Sequence, residues 1–286
     1  MSLDLTIRQK GIIKKTLPIS VILGDRLHFG SYDYAWRLEY EKLSENEFIA
    51  FLPDALARGF SVTWNSEEKQ SIEMRMLTPT SREEIREFYA AVSRIMDYWN
   101  ADLFVEGEKI SLKKWTAGID DYIDFNTRAL NSYCEAVMKD SENAMTFFSA
   151  FWPLTIGQEE ASRFMDNPEA FEAWMHERLS IDAFYSAPMF YEEDGHIYGR
   201  YLFLEDCRTI LPTNPSVPFG VNDPDTGKKL ICNDFRVGVY PREGDILADV
   251  DFGQFIDRLP ADQVSRYDEK SVLIEPIDLS DLKKLF

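Results

Sequence analysis

The chain has 286 residues, 45% of them hydrophobic, with 31 basic and 50 acidic side chains and a formal net charge of −19. That length and apolar content suffice for one or two domains with cores of their own. A field of this sign repels nucleic-acid phosphates and anionic lipid, so it argues against DNA, RNA or an acidic membrane surface and in favour of solubility or a basic protein partner.

The charge is uneven, because residues 144–286 hold 13 basic and 26 acidic groups. Cys134, Cys207 and Cys232 form no C-x-x-C and cannot all pair within one chain, which fits buried thiols in a reducing cytosol. The first ten residues carry Asp4, Arg8 and Lys10 and predict no signal peptide.

In chain order, Leu3, Leu5 and Ile7 alternate with Asp4, Thr6 and Arg8, the period of a half-buried strand. "LPISVIL" at 17–23 reads as a second strand. The tyrosines and tryptophan of "SYDYAWRLEY", Tyr32, Tyr34, Trp36 and Tyr40, read as a strand with rings on the core, or as an exposed contact surface. Phe60, Val62 and Trp64 share one face and Ile72, Met74 and Met76 another, with polar residues 65–69 between them, so the pair predicts an amphipathic hairpin.

Thr80 followed by Glu83 has the capping-box spacing, and Ile85, Phe88, Tyr89, Val92, Ile95, Met96 and Trp99 hold helical spacing after it. "DLFVEGEKISL" predicts a hairpin turning at Glu106-Gly107. A helix over 114–138 follows, and Asn126 falls on its apolar stripe, where a buried amide needs partners and so ties the helix to a neighbouring segment.

The 16 uncharged residues from Asn143 to Gln158 fall short of the ~20 that span a bilayer and include Pro153 and Gly157, so they predict a buried strand. Pro168 opens a short helix with Phe171, Trp174, Met175 and Leu179 on one side. Two aromatic-rich runs flank "EEDG", where Gly195 closes a hairpin, and Pro188 places the first run at a sheet edge or a bulge. "TILPTNPSVPFGVNDPDTG" reads as loop, "FRVGVYP" and "DILADVDF" as strands, and "LSDLKKLF" as a terminal helix capped by Asp278.

The sum is an α+β fold: mostly antiparallel sheets built from hairpins, packed with two or three amphipathic helices. A helix-containing lobe, 1–142, gives way to a strand-rich acidic lobe, 143–286, although one continuous domain produces the same pattern.

Catalytic templates find few matches. Asp251-Phe252-Gly253 is the magnesium triplet of protein kinases, but the chain has no G-x-G loop and no H-R-D, and too few residues follow the triplet. His176 lacks the second histidine of H-E-x-x-H, since position 180 is Ser180. "GVNDPDTGKK" has neither phosphate-loop nor EF-hand spacing and reads as a turn fixed by Pro224. Asp120 and Asp124, with Asp121, suit the positive end of a helix dipole. No residue is assigned a catalytic or cofactor-binding role.

The remaining candidates are metal ligands. Asp249 and Asp251 are two apart on an expected strand, near Asp245, and His196 follows Glu192, Glu193 and Asp194 at a hairpin tip. A metal-assisted hydrolase would use Asp249 and Asp251, with His196. The alternative reading is an exposed acidic face.

In length, acidity, aromatic content and lack of motifs, the chain resembles a family of proteins of unknown function from streptococci and related Firmicutes. The resemblance implies a bacterial cytosolic protein with no established activity and no site residues to carry over. Together, the charge, the 39 aromatic residues (20 Phe, 13 Tyr, 6 Trp) and the unmatched templates predict a cytoplasmic, non-enzymatic binding protein with an acidic, aromatic surface.

Overall fold

A computed structural model describes residues 1–33, 38–44, 47–64, 70–140, 142–223 and 225–286. Tyr34, Trp36, the polar residues 65–69 and Pro224 lie outside them. The chain is α+β and divides into two compact units, Met1–Ser180 and Ile181–Phe286. Eight α-helices occur among the described residues, more than the two or three expected, because short segments such as Ile19–Leu23, Gln158–Phe164 and Phe252–Arg258 form helices of one or two turns, too short to show a full helical period in sequence.

In the first unit, Leu3, Leu5 and Ile7 of β1 (Ser2–Gln9) are buried as their alternation demands. The apolar run at 17–23 is not a strand but a single helical turn, α1 (Ile19–Leu23). An unbroken apolar run fits either structure. Here Pro18 precedes the turn, Gly24 closes it at φ 58°, and Arg94 donates to the carbonyls of Val21 and Ile22 at 3.1 and 2.8 Å, placing a cation at the helix end.

The remaining strands of the sheet are β2 (His28–Tyr32), β3 (Leu38–Tyr40), β4 (Glu47–Phe51), β5 (Phe60–Thr63), β6 (Ser71–Leu77), β7 (Ala101–Val105) and β8 (Glu108–Ile110). With β1 they form an eight-stranded antiparallel sheet in the order β3-β2-β4-β5-β6-β1-β7-β8. The expected hairpin sets Phe60 opposite Met76 and Val62 opposite Met74. The β7–β8 turn places both Glu106 (φ 48°) and Gly107 (φ 84°) in the left-handed region that a tight two-residue turn requires.

The long amphipathic helix is α2 (Arg82–Trp99), with the predicted stripe buried against the sheet and the Phe88 ring edge-on to Phe60 at 5.0 Å. Each such buried side chain contributes about 1.5–3 kcal/mol. Its cap lies one residue later than the Thr80/Glu83 spacing suggests. Ser81 Oγ accepts from the Glu84 N–H, which leaves Thr80 free to bond the Glu84 carboxylate.

The helix expected over 114–138 is two helices, α3 (Leu112–Ala117) and α4 (Ile119–Met138), broken where the Gly118 N–H turns back to Trp115 O. Asn126, 2% exposed on α4, accepts from the Thr80 N–H and donates to the Thr80 carbonyl, both at 2.9 Å, so the amide ties α4 to the segment ahead of α2.

Residues 143–180 supply β9 (Met145–Phe147), β10 (Leu154–Ile156), α5 (Gln158–Phe164) and α6 (Pro168–Leu179). They belong to the first unit, so the division falls after Ser180, whereas the sequence pattern changes near 143. Specific bonds account for this placement. Tyr32 donates to Ser149 O at 2.9 Å, and Arg82 donates to Glu172 and Glu169 at 2.7 and 2.6 Å. The Leu56 N–H donates to Nδ1 of His176 at 3.1 Å.

The second unit contains β11 (Phe184–Tyr185), β12 (Met189–Glu193), β13 (His196–Leu204), β14 (Thr209–Pro212), β15 (Asp234–Tyr240), β16 (Ala248–Asp251), α7 (Phe252–Arg258), β17 (Val264–Arg266), β18 (Ser271–Ile274) and α8 (Leu279–Leu285). Two four-stranded sheets form, β12-β13-β15-β16 and β11-β14-β18-β17. Most pairings are antiparallel, but β13 pairs with β15, and β11 with β14, in parallel. As Pro188 implied, β12 is an edge strand.

Thr209–Pro212, read as loop, is a strand pairing with β18, and "DILADVDF" ends in a helix rather than running on as a strand, because Asp251 caps α7 by accepting from the Gln254 N–H at 3.1 Å. Asp278 caps α8 in the same way. The core gathers Tyr201, Phe203, Val237, Val239, Phe252, Phe255 and Leu282.

Cys207 and Cys232 lie in loops and are half-buried, contrary to the expected buried thiols, since each falls just outside the paired residues. Only Cys134 is buried. Among the described residues no helix is long and apolar enough to cross a membrane.

Replacing Asn126 by Leu removes both bonds to Thr80 and leaves a buried donor and acceptor unmatched. A loss of about 2–4 kcal/mol is expected in urea unfolding of the full chain.

Candidate functional site

Strand periodicity in the second unit divides the sheet β12-β13-β15-β16 into a core face and an outer face. On the outer face, the His196 ring centroid lies 6.2 Å from Tyr198, and Tyr198 stacks on Tyr191 at 5.3 Å across the β12–β13 pair. The Arg200 guanidinium lies 4.6 Å over the Tyr191 ring and bonds its hydroxyl at 3.1 Å. Arg200 then reaches Asp249 Oδ2 at 2.5 Å, and Arg236 donates to Asp249 Oδ1 at 3.0 Å. A planar cation is thus seated between an aromatic ring and a carboxylate.

This geometry decides where the sequence candidates fall. Asp249 is engaged by two guanidinium groups, and Asp251 is engaged as a helix cap. Asp249 lies level with Gly238, and Gly238 with Leu202, so His196 is six residues further along β13, about 20 Å away at the usual strand rise. The three residues do not converge. Among the described residues no group of three or more His, Cys, Asp or Glu is placed to hold a metal ion. Glu192, Glu193, Asp194 and His196 are exposed at the hairpin tip, where Asp194 (φ 51°) and Gly195 (φ 78°) make the turn.

In "GVNDPDTGKK", Asp223 Oδ1 accepts from the N–H groups of Asp225 and Thr226 at 2.9 and 2.7 Å, a side-chain-mimicked turn.

The first unit holds a different arrangement. Glu84, on the first turn of α2, has no exposed surface; it accepts from the Gly59 N–H at 2.6 Å and contacts the Thr80 hydroxyl. Burial pushes its carboxyl up to about 7, against the pull of those bonds and of the nearby Arg58. Arg58 is 9% exposed, and burial lowers its guanidinium to about 10. Its Nε donates to Phe148 O at 2.8 Å, its Nη1 to Pro79 O at 3.3 Å, and its charge lies 5.5 Å from the Phe147 ring. Arg58 lines a cavity of about 190 Å³ together with Leu77, Thr78, Tyr133, Met145 and Thr146.

The model of the domain of unknown function DUF4299 matches residues 2–285. The chain belongs to that family. The match spans both units, so the family is defined by the two together, and it brings no activity with it. Neither a curated protein nor a solved structure matches the chain.

Arg58 and Glu84 leave almost no trace in linear spacing. An acid in the first turn of a helix is ordinary, and only its place on the same side as Phe88 and Ile95 marks it as buried. The Arg200–Asp249 pair was half visible, in the aspartate alone.

Since the folded value of Glu84 stands above its ordinary 4.5, the folded state holds the proton more tightly. Its contribution to stability is complete below pH 4.5 and is lost as pH rises to about 7. Glu84→Gln, which keeps both hydrogen bonds, is expected to remove a decline on the order of 3 kcal/mol across that window, read by urea unfolding at stepped pH.

Proposed function

We propose that this DUF4299 protein is a non-catalytic, cytosolic binding protein that takes an arginine-rich segment of a basic partner protein on the outer sheet face of its second unit. The observation that carries the reading is the seat already built for one arginine: the Arg200 guanidinium on the Tyr191 ring, with Tyr198 stacked beside it. Next to that stack, Glu193 on the same face, opposite His196, and Asp194 in the turn are exposed and make no ion pair with any described residue.

An incoming guanidinium finds a ring face and uncommitted carboxylates within the reach of one side chain. Tyrosines add contact area at low entropic cost. The net charge of −19 favours approach of a cationic partner and speeds encounter at low salt. Three unpaired cysteines fit a reducing compartment.

A labelled ten-residue arginine-rich peptide titrated by fluorescence anisotropy tests the site. Tyr198→Ala, or Glu192, Glu193 and Asp194 together changed to Lys, is expected to weaken binding about tenfold or more, as removal of a contact at the centre of an interface does. Changing the exposed Asp120, Asp121 and Asp124 of α4 to Lys alters net charge equally and is expected to matter much less. Equal loss from the two triple variants would mean that the peptide reads only overall charge, and the face would be abandoned as the site.

A further inference from the structure

Buried guanidinium groups are ordinarily matched by a carboxylate, because an unmatched charge in a low-dielectric interior is costly. Arg58 departs from this. No described residue places a carboxylate within 4.0 Å of it, and its two hydrogen bonds both go to backbone carbonyls. The nearest acid, Glu84, spends its oxygens on the Gly59 N–H and the Thr80 hydroxyl.

Nη2 of Arg58 donates to no described residue and is not among the sealed, unpartnered atoms of the interior, and the Arg58 side chain lines the cavity. The result is a fixed cation, nine-tenths buried, held by Phe148 O and Pro79 O and facing an open space of about 190 Å³. That space is several water molecules in size. Its walls combine apolar Leu77, Met145 and Phe147 with Thr146 and Tyr133, whose hydroxyl accepts from the Met1 ammonium at 3.2 Å, and Arg75 lines it as well, so the site is cationic on more than one side.

We infer that this cavity is a binding site for a small organic carboxylate with an apolar body, its carboxylate on Arg58 Nη2 and its hydrocarbon part against Met145 and Phe147. A guanidinium prefers a planar, two-oxygen anion, and two of its N–H directions are already fixed, so the ligand meets an oriented donor rather than a mobile one. Leu77, Met145 and Phe147 give a ligand with an apolar body a contact that an inorganic ion lacks, so the hydrocarbon part, beyond the charge, favours an organic carboxylate. Glu84 sharpens the choice, since it leaves the guanidinium without a direct counter-ion. The site is independent of the sheet face of the second unit, and neither stands or falls with the other.

The test uses the full-length protein and four probes: benzoate, isobutyrate, the neutral isostere benzamide, and inorganic phosphate. Benzoate and isobutyrate are expected to raise the melting temperature with concentration, and benzamide and phosphate to leave it unchanged. Arg58→Gln is expected to weaken benzoate binding about tenfold or more through loss of the charge-assisted bond. If that variant does not fold, Met145→Trp fills the space while leaving Arg58 and its carbonyl partners in place, and the same loss is expected. Equal effects of benzoate and benzamide, protection by phosphate alone, or undiminished benzoate binding by the variants would overturn the assignment.

Discussion

A carboxyl group with no exposed surface sets the terms on which the first unit holds together. Glu84 would cost several kcal/mol as a bare buried anion, and its tolerance rests on groups brought from elsewhere in the chain: the Gly59 N–H, the Thr80 hydroxyl and the start of α2. The Thr80 backbone is in turn gripped by Asn126 of α4, and Arg58, next to Gly59, holds Phe148 O ahead of β10. A strand connection, a helix start, a second helix and the segment between β9 and β10 therefore meet around one acid. These contacts tie 143–180 to residues far upstream, in addition to its packing on the preceding helix α4 through Asn131 and Asp166.

What the sequence reveals of this fold follows from how local each signal is. The buried alternation of β1, the β5–β6 and β7–β8 hairpins, the α2 stripe and the cap of α8 are all legible, because burial on one face repeats within a few residues. The α1 turn is not, since "ISVIL" has no polar residue on which to register a period apart from Ser20. Nor is α7, whose cap, Asp251, is equally a second strand carboxylate until the Gln254 N–H is seen beside it. The same ambiguity governs the candidate sites. Asp249 attracts notice as an acid two residues from another acid, yet its partners are Arg200 and Arg236 on two other strands. Arg58 carries no signal at all, because an arginine without a carboxylate is unusual only once its burial is known.

The two units show two different uses of a guanidinium group. Arg200 is half-exposed, neutralised by Asp249 and laid flat on a ring, so it serves as part of a surface. Arg58 is enclosed, neutralised by nothing within bonding distance and held by carbonyls, so it behaves as a preset donor facing a void. Identical chemistry is turned outward in one case and inward in the other by burial alone.

The parallel pairing of β13 with β15 has consequences for how the second unit comes into being. Parallel neighbours cannot be zipped together through a short turn, and here residues 205–233 separate them. During synthesis the β12–β13 hairpin emerges first, with the far side of β13 lacking its partner until Asp234–Tyr240 has followed. For that interval a nine-residue strand rich in Tyr, Leu and Phe presents an open edge. In the finished sheet that edge is closed by β15, whose residues Asp234–Tyr240 run alongside Tyr198–Leu204.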